Sequence, residues 1–188
     1  GEYAGRGVSR ETWVWAGALA LVACVCVYAT TPFYALSWDE GYYFPTYRDV
    51  SSWLGSFLSS PGQALSGEGI RAGWERINEL PPVTKWIGAV FYGIAPEGLE
   101  FAFARLAPAL LFGATVGLIF LLARRRTGLA WAVLCAGAYG LHPRLFGHAH
   151  FMASETTFAF LTALTLFAAD AEKFSWQRRA ALMVVMGL

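Results

Sequence analysis

Apolar residues fall in long blocks along this chain, separated by short basic loops and amphipathic stretches. Blocks 13–33, 101–122, 128–145 and 151–169 lie close to the ~20 helical residues needed to cross a hydrocarbon core. A fifth block starts at Ala180 and is cut off at Leu188, so a fragment of a larger protein is expected. The pattern predicts an all-α fold: a polytopic transmembrane helix bundle with amphipathic juxtamembrane helices in a first outer loop, residues 34–100.

Within that loop, Tyr43, Tyr47, Val50, Leu54 and Phe57 recur at helical spacing, with Arg48, Asp49, Ser51 and Ser52 on the opposite face. Ser59-Ser60-Pro61-Gly62 ends this helix, and Gly67 to Gly73 reads as a flexible connection. Pro81-Pro82 opens a second run in which Val83, Trp86, Ile87, Val90, Phe91 and Ile94 share a face. It is too short to span and is expected to lie on the outer surface. The proline of Thr30-Thr31-Pro32 stops the first crossing, and Gly113 and Gly117 in the second have the small-residue spacing that lets two helices approach closely.

Composition supports a membrane protein, with 56% hydrophobic and only 14% charged residues and a mean hydropathy of +0.45. The net charge of +1 comes with no basic face or base-stacking platform, which excludes a nucleic-acid partner. Cys24, Cys26 and Cys135 lie inside apolar blocks and read as small packing residues. Arg6, Arg10, the triplet Arg124, Arg125, Arg126 and the basic stretch 173–179 fall on one side if the crossings alternate. The positive-inside rule makes that side cytoplasmic, which puts the N-terminus inside and residues 34–100 and 142–150 outside.

Candidate chemistry sits where apolar blocks meet those outer segments. Asp39 and Glu40 follow the first block, and Glu155 opens the fourth. An acid at the lip of a membrane is costly unless it is paired, hydrated or functional, although an acid pair here also suits a helix N-cap. A carboxylate in an outer cavity can accept a hydroxyl proton, and Lys85, Arg105 and, third, Arg144 are the cations placed to hold a phosphate. Snorkelling towards headgroups is the structural alternative for Lys85 and Arg105. Tyr42, Tyr43, Trp53, Trp74 and Trp86 can line a sugar or isoprenoid pocket, or serve in an interfacial aromatic belt. His148 and His150, preceded by His142, can hold a divalent metal if that loop is extended, or can be polar loop residues near headgroups.

These features together resemble the N-terminal part of the polytopic C-type glycosyltransferases that use polyprenyl-phosphate sugars, especially the protein O-mannosyltransferase and aminoarabinose transferase group. The resemblance rests on Asp39-Glu40 followed by an aromatic pair, on Glu79-Leu80-Pro81-Pro82-Val83-Thr84-Lys85-Trp86, and on the stretch from Pro143-Arg144 to Ser154-Glu155. Glu155 stands where the family usually has Asp, and Glu79-Leu80 where it often has His before the proline pair. The resemblance implies a polyprenyl-phosphate sugar donor from the bilayer and an acceptor hydroxyl outside; no cofactor is expected apart from the divalent metal the histidines can hold. It also implies Asp39 as general base of an inverting displacement, with Glu40 and Glu155 orienting the substrates. Tyr42, Tyr43, Glu79, Lys85, Arg105, Arg144 and His148 would contact them. A membrane transporter or channel subunit is the alternative, because intramembrane acids and close helix contacts also serve ion passage.

Overall fold

The computed structural model describes residues 9–76, 80–152 and 154–169, and all regular structure among them is helical. Helix α1, Arg10–Thr30, is capped by Ser9, whose hydroxyl accepts from the Thr12 N–H, and a single 3-10 turn, Thr31–Phe33, follows it. The segment 34–100 holds α2 (Trp38–Ser59), α3 (Pro61–Ala64), α4 (Gly67–Trp74) and α5 (Pro82–Gly93). The rest is α6 (Glu100–Arg124), α7 (Leu129–Gly140), α8 (Pro143–His148) and α9 (Ser154–Ala169).

Helix α6 is central and packs against α1, α5, α7 and α9. Its closest neighbour is α1, for the reason the glycine spacing suggested. A β-carbon on Gly113 would collide with the Ala20 carbonyl, and one on Gly117 would come within 3.1 Å of the Ala16 carbonyl. Two backbones meet there, and Cys24 is buried at the contact. Phe112, Val116, Phe120, Ala132, Ala136 and Val27 complete the core.

Among the described residues two helical segments, Arg10–Phe33 and Glu100–Arg124, are long and apolar enough to cross a membrane, with mean hydropathies of 1.9 and 2.3. The third expected crossing is not one long helix. Helix α7 has 12 residues, about 18 Å, and stops at Gly140. Pro143 pushes His142 into an extended conformation (ψ 117°), and α8 starts afresh after it. Helix α9 is likewise shorter than the expected 151–169, with 16 residues from Ser154. Glu79, the basic stretch 173–179, Arg6 and the block from Ala180 lie outside the described residues.

One further expectation changes. The stretch Gly67 to Gly73 is helix α4, not a loose connection. A β-carbon on Gly69 would strike the Gln63 carbonyl and one on Gly73 the Trp53 ring, so these glycines allow α4 to press onto α3 and α2. Helix α5 starts at Pro82 as expected and turns its small and polar face inward. Thr84, Lys85, Gly88 and Ala89 are buried, Gly88 against the Tyr47 ring, while Val83, Val90 and Ile94 face outward and Trp86 packs on Trp53 and Trp74. An outward apolar stripe is what a helix lying in a lipid interface presents.

The bundle has two chemically distinct ends. At one, Trp13 of α1 packs edge-on to Phe167 of α9, and the Arg125 guanidinium lies 4.1 Å over the same ring while donating to the Phe167 carbonyl. At the other end, the α1–α2 junction meets the start of α6 and the segment 146–152.

Candidate functional site

At that second end the chain makes a sharp entry into α2. Ser37 and Glu40 form a capping box: the Ser37 hydroxyl accepts from the Glu40 N–H at 3.2 Å, and the Ser37 N–H donates to Glu40 Oε2 at 3.0 Å. The Glu40 carboxylate is completely buried. Arg105 meets it in a two-pronged pair, Nε to Oε1 at 2.8 Å and Nη2 to Oε2 at 2.6 Å. The remaining Arg105 N–H groups donate to the Thr31, Tyr34 and Ala35 carbonyls at 3.1–3.3 Å, and its guanidinium lies 4.5 Å over the Phe101 ring.

All five guanidinium donors are therefore engaged, which is the condition under which a buried ion pair is tolerable. This corrects two expectations. Arg105 has no N–H left for a phosphate, and Glu40 is an N-terminal capping residue and clamp, not a group facing a substrate. The pair fixes the 31–35 turn and the first turn of α2, and so fixes where the neighbouring residue points.

That neighbour is Asp39. It is exposed in the first turn of α2 and makes no ion pair or side-chain hydrogen bond among the described residues. Around it the surface is unusually apolar: Phe33 is 85% exposed, Trp38 79% and Leu36 62%. Tyr42 is exposed and its ring lies 5.5 Å from that of Trp38, whereas Tyr43 is half-buried against the Tyr47 cluster. Tyr42 thus remains available at the surface and Tyr43 is a packing residue.

The segment after α7 joins this end through His150. Its ring is fully buried, stacks on Tyr34 at 3.9 Å, and bonds Thr30 through Nε2 at 2.7 Å. Nδ1 donates to the Phe146 carbonyl at 2.8 Å, since a carbonyl can only accept. Burial, aided by the Arg105 charge, pushes the imidazole below its ordinary value. Tyr47 adds a second tie, its hydroxyl donating to the Met152 carbonyl at 2.8 Å; burial first, then Tyr43 and Glu40, push this phenol well up. With both nitrogens of His150 engaged, His148 and His150 do not act as a chelating pair, and among the described residues no three potential metal ligands converge.

Glu155 lies in the first turn of α9, which follows the 146–152 segment that Thr30, Tyr34 and Tyr47 tie to the α1–α2 junction and to α2. It lies 3.9 Å from His148 Nδ1. The two residues, with Arg144, Tyr139, Phe112 and Thr156, line a small cavity of about 90 Å³. Arg144 is exposed and unpaired among the described residues, which makes it the freest cation here. Lys85 is buried, with Nζ donating to the Trp74 and Arg76 carbonyls at 3.0 Å. Burial lowers its pKa, and one ammonium N–H is left over.

Sequence reasoning missed Tyr34 and Tyr139. Tyr34 is legible only as an aromatic residue shortly before the acidic pair, and Tyr139 only as a polar-tipped residue ending an apolar block. No family model, curated protein or solved structure matches this chain.

Proposed function

We propose that this chain is a membrane glycosyltransferase that moves a sugar from a polyprenyl-phosphate donor to an acceptor hydroxyl. The observation that carries this reading is the exposed Asp39 carboxylate. It is held by the Glu40–Arg105 clamp at the end of the bundle that also carries Glu155, His148 and Arg144. Membrane residence is supported by the two long apolar helices and by the outward faces of α1, where Val14, Leu21 and Val22 are at least 60% exposed. The positive-inside rule then assigns the Arg124, Arg125, Arg126 end to the cytoplasm and the Asp39 end to the opposite face.

In this reading Asp39 accepts the proton of the acceptor hydroxyl as its oxygen attacks the anomeric carbon. The new C–O bond forms as the bond to phosphate breaks, with inversion, and polyprenyl phosphate leaves with the electron pair. Arg144, with His148 beside it, is the cation that steadies the leaving phosphate, and Lys85 contributes at most its one remaining N–H. Glu155 orients a hydroxyl. The apolar surface of Phe33, Leu36 and Trp38 suits the approach of an isoprenoid tail.

The test is transfer from a radiolabelled polyprenyl-phosphate sugar in membranes that contain the full-length protein. Asp39→Asn is expected to lower turnover by at least about 10³-fold while expression and thermal stability stay the same. Unchanged transfer would remove Asp39 from this role, and ion flux without any transfer in vesicles would favour a transporter.

A further inference from the structure

A second concavity lies away from Asp39, where α2, α3 and α4 meet. It encloses about 330 Å³, the lower end of the range for small-molecule sites. Its position along α2, 10–17 residues beyond Asp39, puts it about 15–25 Å from that carboxylate along the helix axis. The walls are rigid for reasons already given: α4 contacts α3 and α2 through Gly69 and Gly73, and Trp53 Nε1 donates to the Ala64 carbonyl at 2.9 Å.

The chemistry of the lining narrows the ligand. Ser52, Gln63 and Glu68 line the cleft and have no side-chain partner among the described residues. Asp49 also lines it but is paired with Arg76 at 2.6 Å and Arg48 at 3.6 Å. Among the described residues no Lys or Arg side chain lines the cleft, and Arg76, which reaches the lining residue Asp49, is already paired with it, so an anion is disfavoured there. Among the same residues Glu68 is the one lining carboxylate without a partner, too few for a cation site. What the cleft offers is one amide, hydroxyls, one carboxylate acceptor and the part of the Trp53 indole left open by Phe57, which stacks on it at 5.4 Å, and by Trp74 and Trp86, which meet it edge-on. These groups match vicinal hydroxyls on one side of a ligand and C–H groups on the other.

We infer that this cleft binds a neutral saccharide ring, with Gln63, Ser52 and Glu68 as hydrogen-bonding groups and Trp53 as the apolar wall. The site is separate from the proposed transfer centre and does not require it. Methyl α-D-mannopyranoside and methyl β-D-glucopyranoside serve as probes, with the full chain held in a zwitterionic detergent free of sugar headgroups. Saturation-transfer NMR and tryptophan fluorescence are expected to show saturable binding of at least one glycoside in the millimolar range. Ser52→Ala with Gln63→Ala is expected to weaken it at least about tenfold, and Glu68→Gln by several-fold, all three positions being exposed. Asp39→Asn should leave binding unchanged, which separates this site from the transfer reading. Absence of saturable binding of both glycosides, binding that survives the double substitution, or displacement by inorganic phosphate would overturn the assignment.

Discussion

At the scale of single residues, the acidic pair divides its labour. Asp39 and Glu40 are adjacent and chemically similar, yet one is exposed and unpaired while the other is sealed against Arg105. The sequence flagged all three residues as important but could not show that Glu40 and Arg105 belong to each other across 65 positions. A pairing at that separation leaves no local signal, whereas the capping role of an acid after Ser37 does. Breaking the clamp from one side leaves a buried charge alone. Glu40→Ala and Arg105→Ala are each expected to cost about 3–5 kcal/mol, and the double variant far less than their sum. Denaturant unfolding of the four proteins measures this, and additive losses would show that the pair is not coupled.

His150 gives the second residue-scale expectation. Its folded pKa is depressed by burial, so the unfolded chain binds more protons between that depressed value and the ordinary ~6.5. Stability is therefore full above about pH 6.5 and declines as pH falls below it. Melting temperatures from pH 5 to 8 should show this slope in the native chain and a flatter one in His150→Gln. Identical slopes would place the titration elsewhere.

At the scale of elements, legibility followed the strength of the periodic signal. Helices α1 and α6 were read nearly to their ends because a long apolar block bounded by charge or proline has one interpretation. The block 128–145 was misread because apolarity alone does not show that Gly140 and Pro143 interrupt the helix. Helix α4 was misread for the opposite reason: glycines that signal flexibility in isolation here mark close packing against Trp53. The helical face of α5 was recognised, and its apolar stripe is turned outward, as suits a helix on the surface of the bundle. The contact between α1 and α6 can be tested directly. Gly113→Val, which drives a side chain into the Ala20 carbonyl, is expected to destabilise by about 1–3 kcal/mol or more. Gly137→Ala, whose added carbon meets no neighbouring element within 4 Å, should be neutral or stabilising by up to about 1 kcal/mol, since alanine favours the helix. Equal effects in thermal unfolding would mean that the close approach of the two helices is not what holds them.

At the scale of the molecule, the polarity of the bundle gives the parts a common purpose. Arg124, Arg125 and Arg126 mark one end, and the clamp, Asp39 and the Glu155 cavity mark the other. Hydrophobic blocks and charge bias made that separation readable from sequence. The ties that put the acids at one end, Thr30 to His150, Tyr34 on His150 and Tyr47 to Met152, were not readable, because each joins residues more than 100 positions apart. The proposed transfer chemistry requires both acids to open onto the same aqueous face. Cysteines introduced singly by Asp39→Cys, Glu155→Cys and Arg126→Cys, with Cys24, Cys26 and Cys135 replaced by Ala, can be probed in sealed, oriented vesicles with a membrane-impermeant maleimide. The account predicts that Asp39→Cys and Glu155→Cys label from the same side and Arg126→Cys only from the other. Labelling of Asp39→Cys and Glu155→Cys from opposite sides would contradict it.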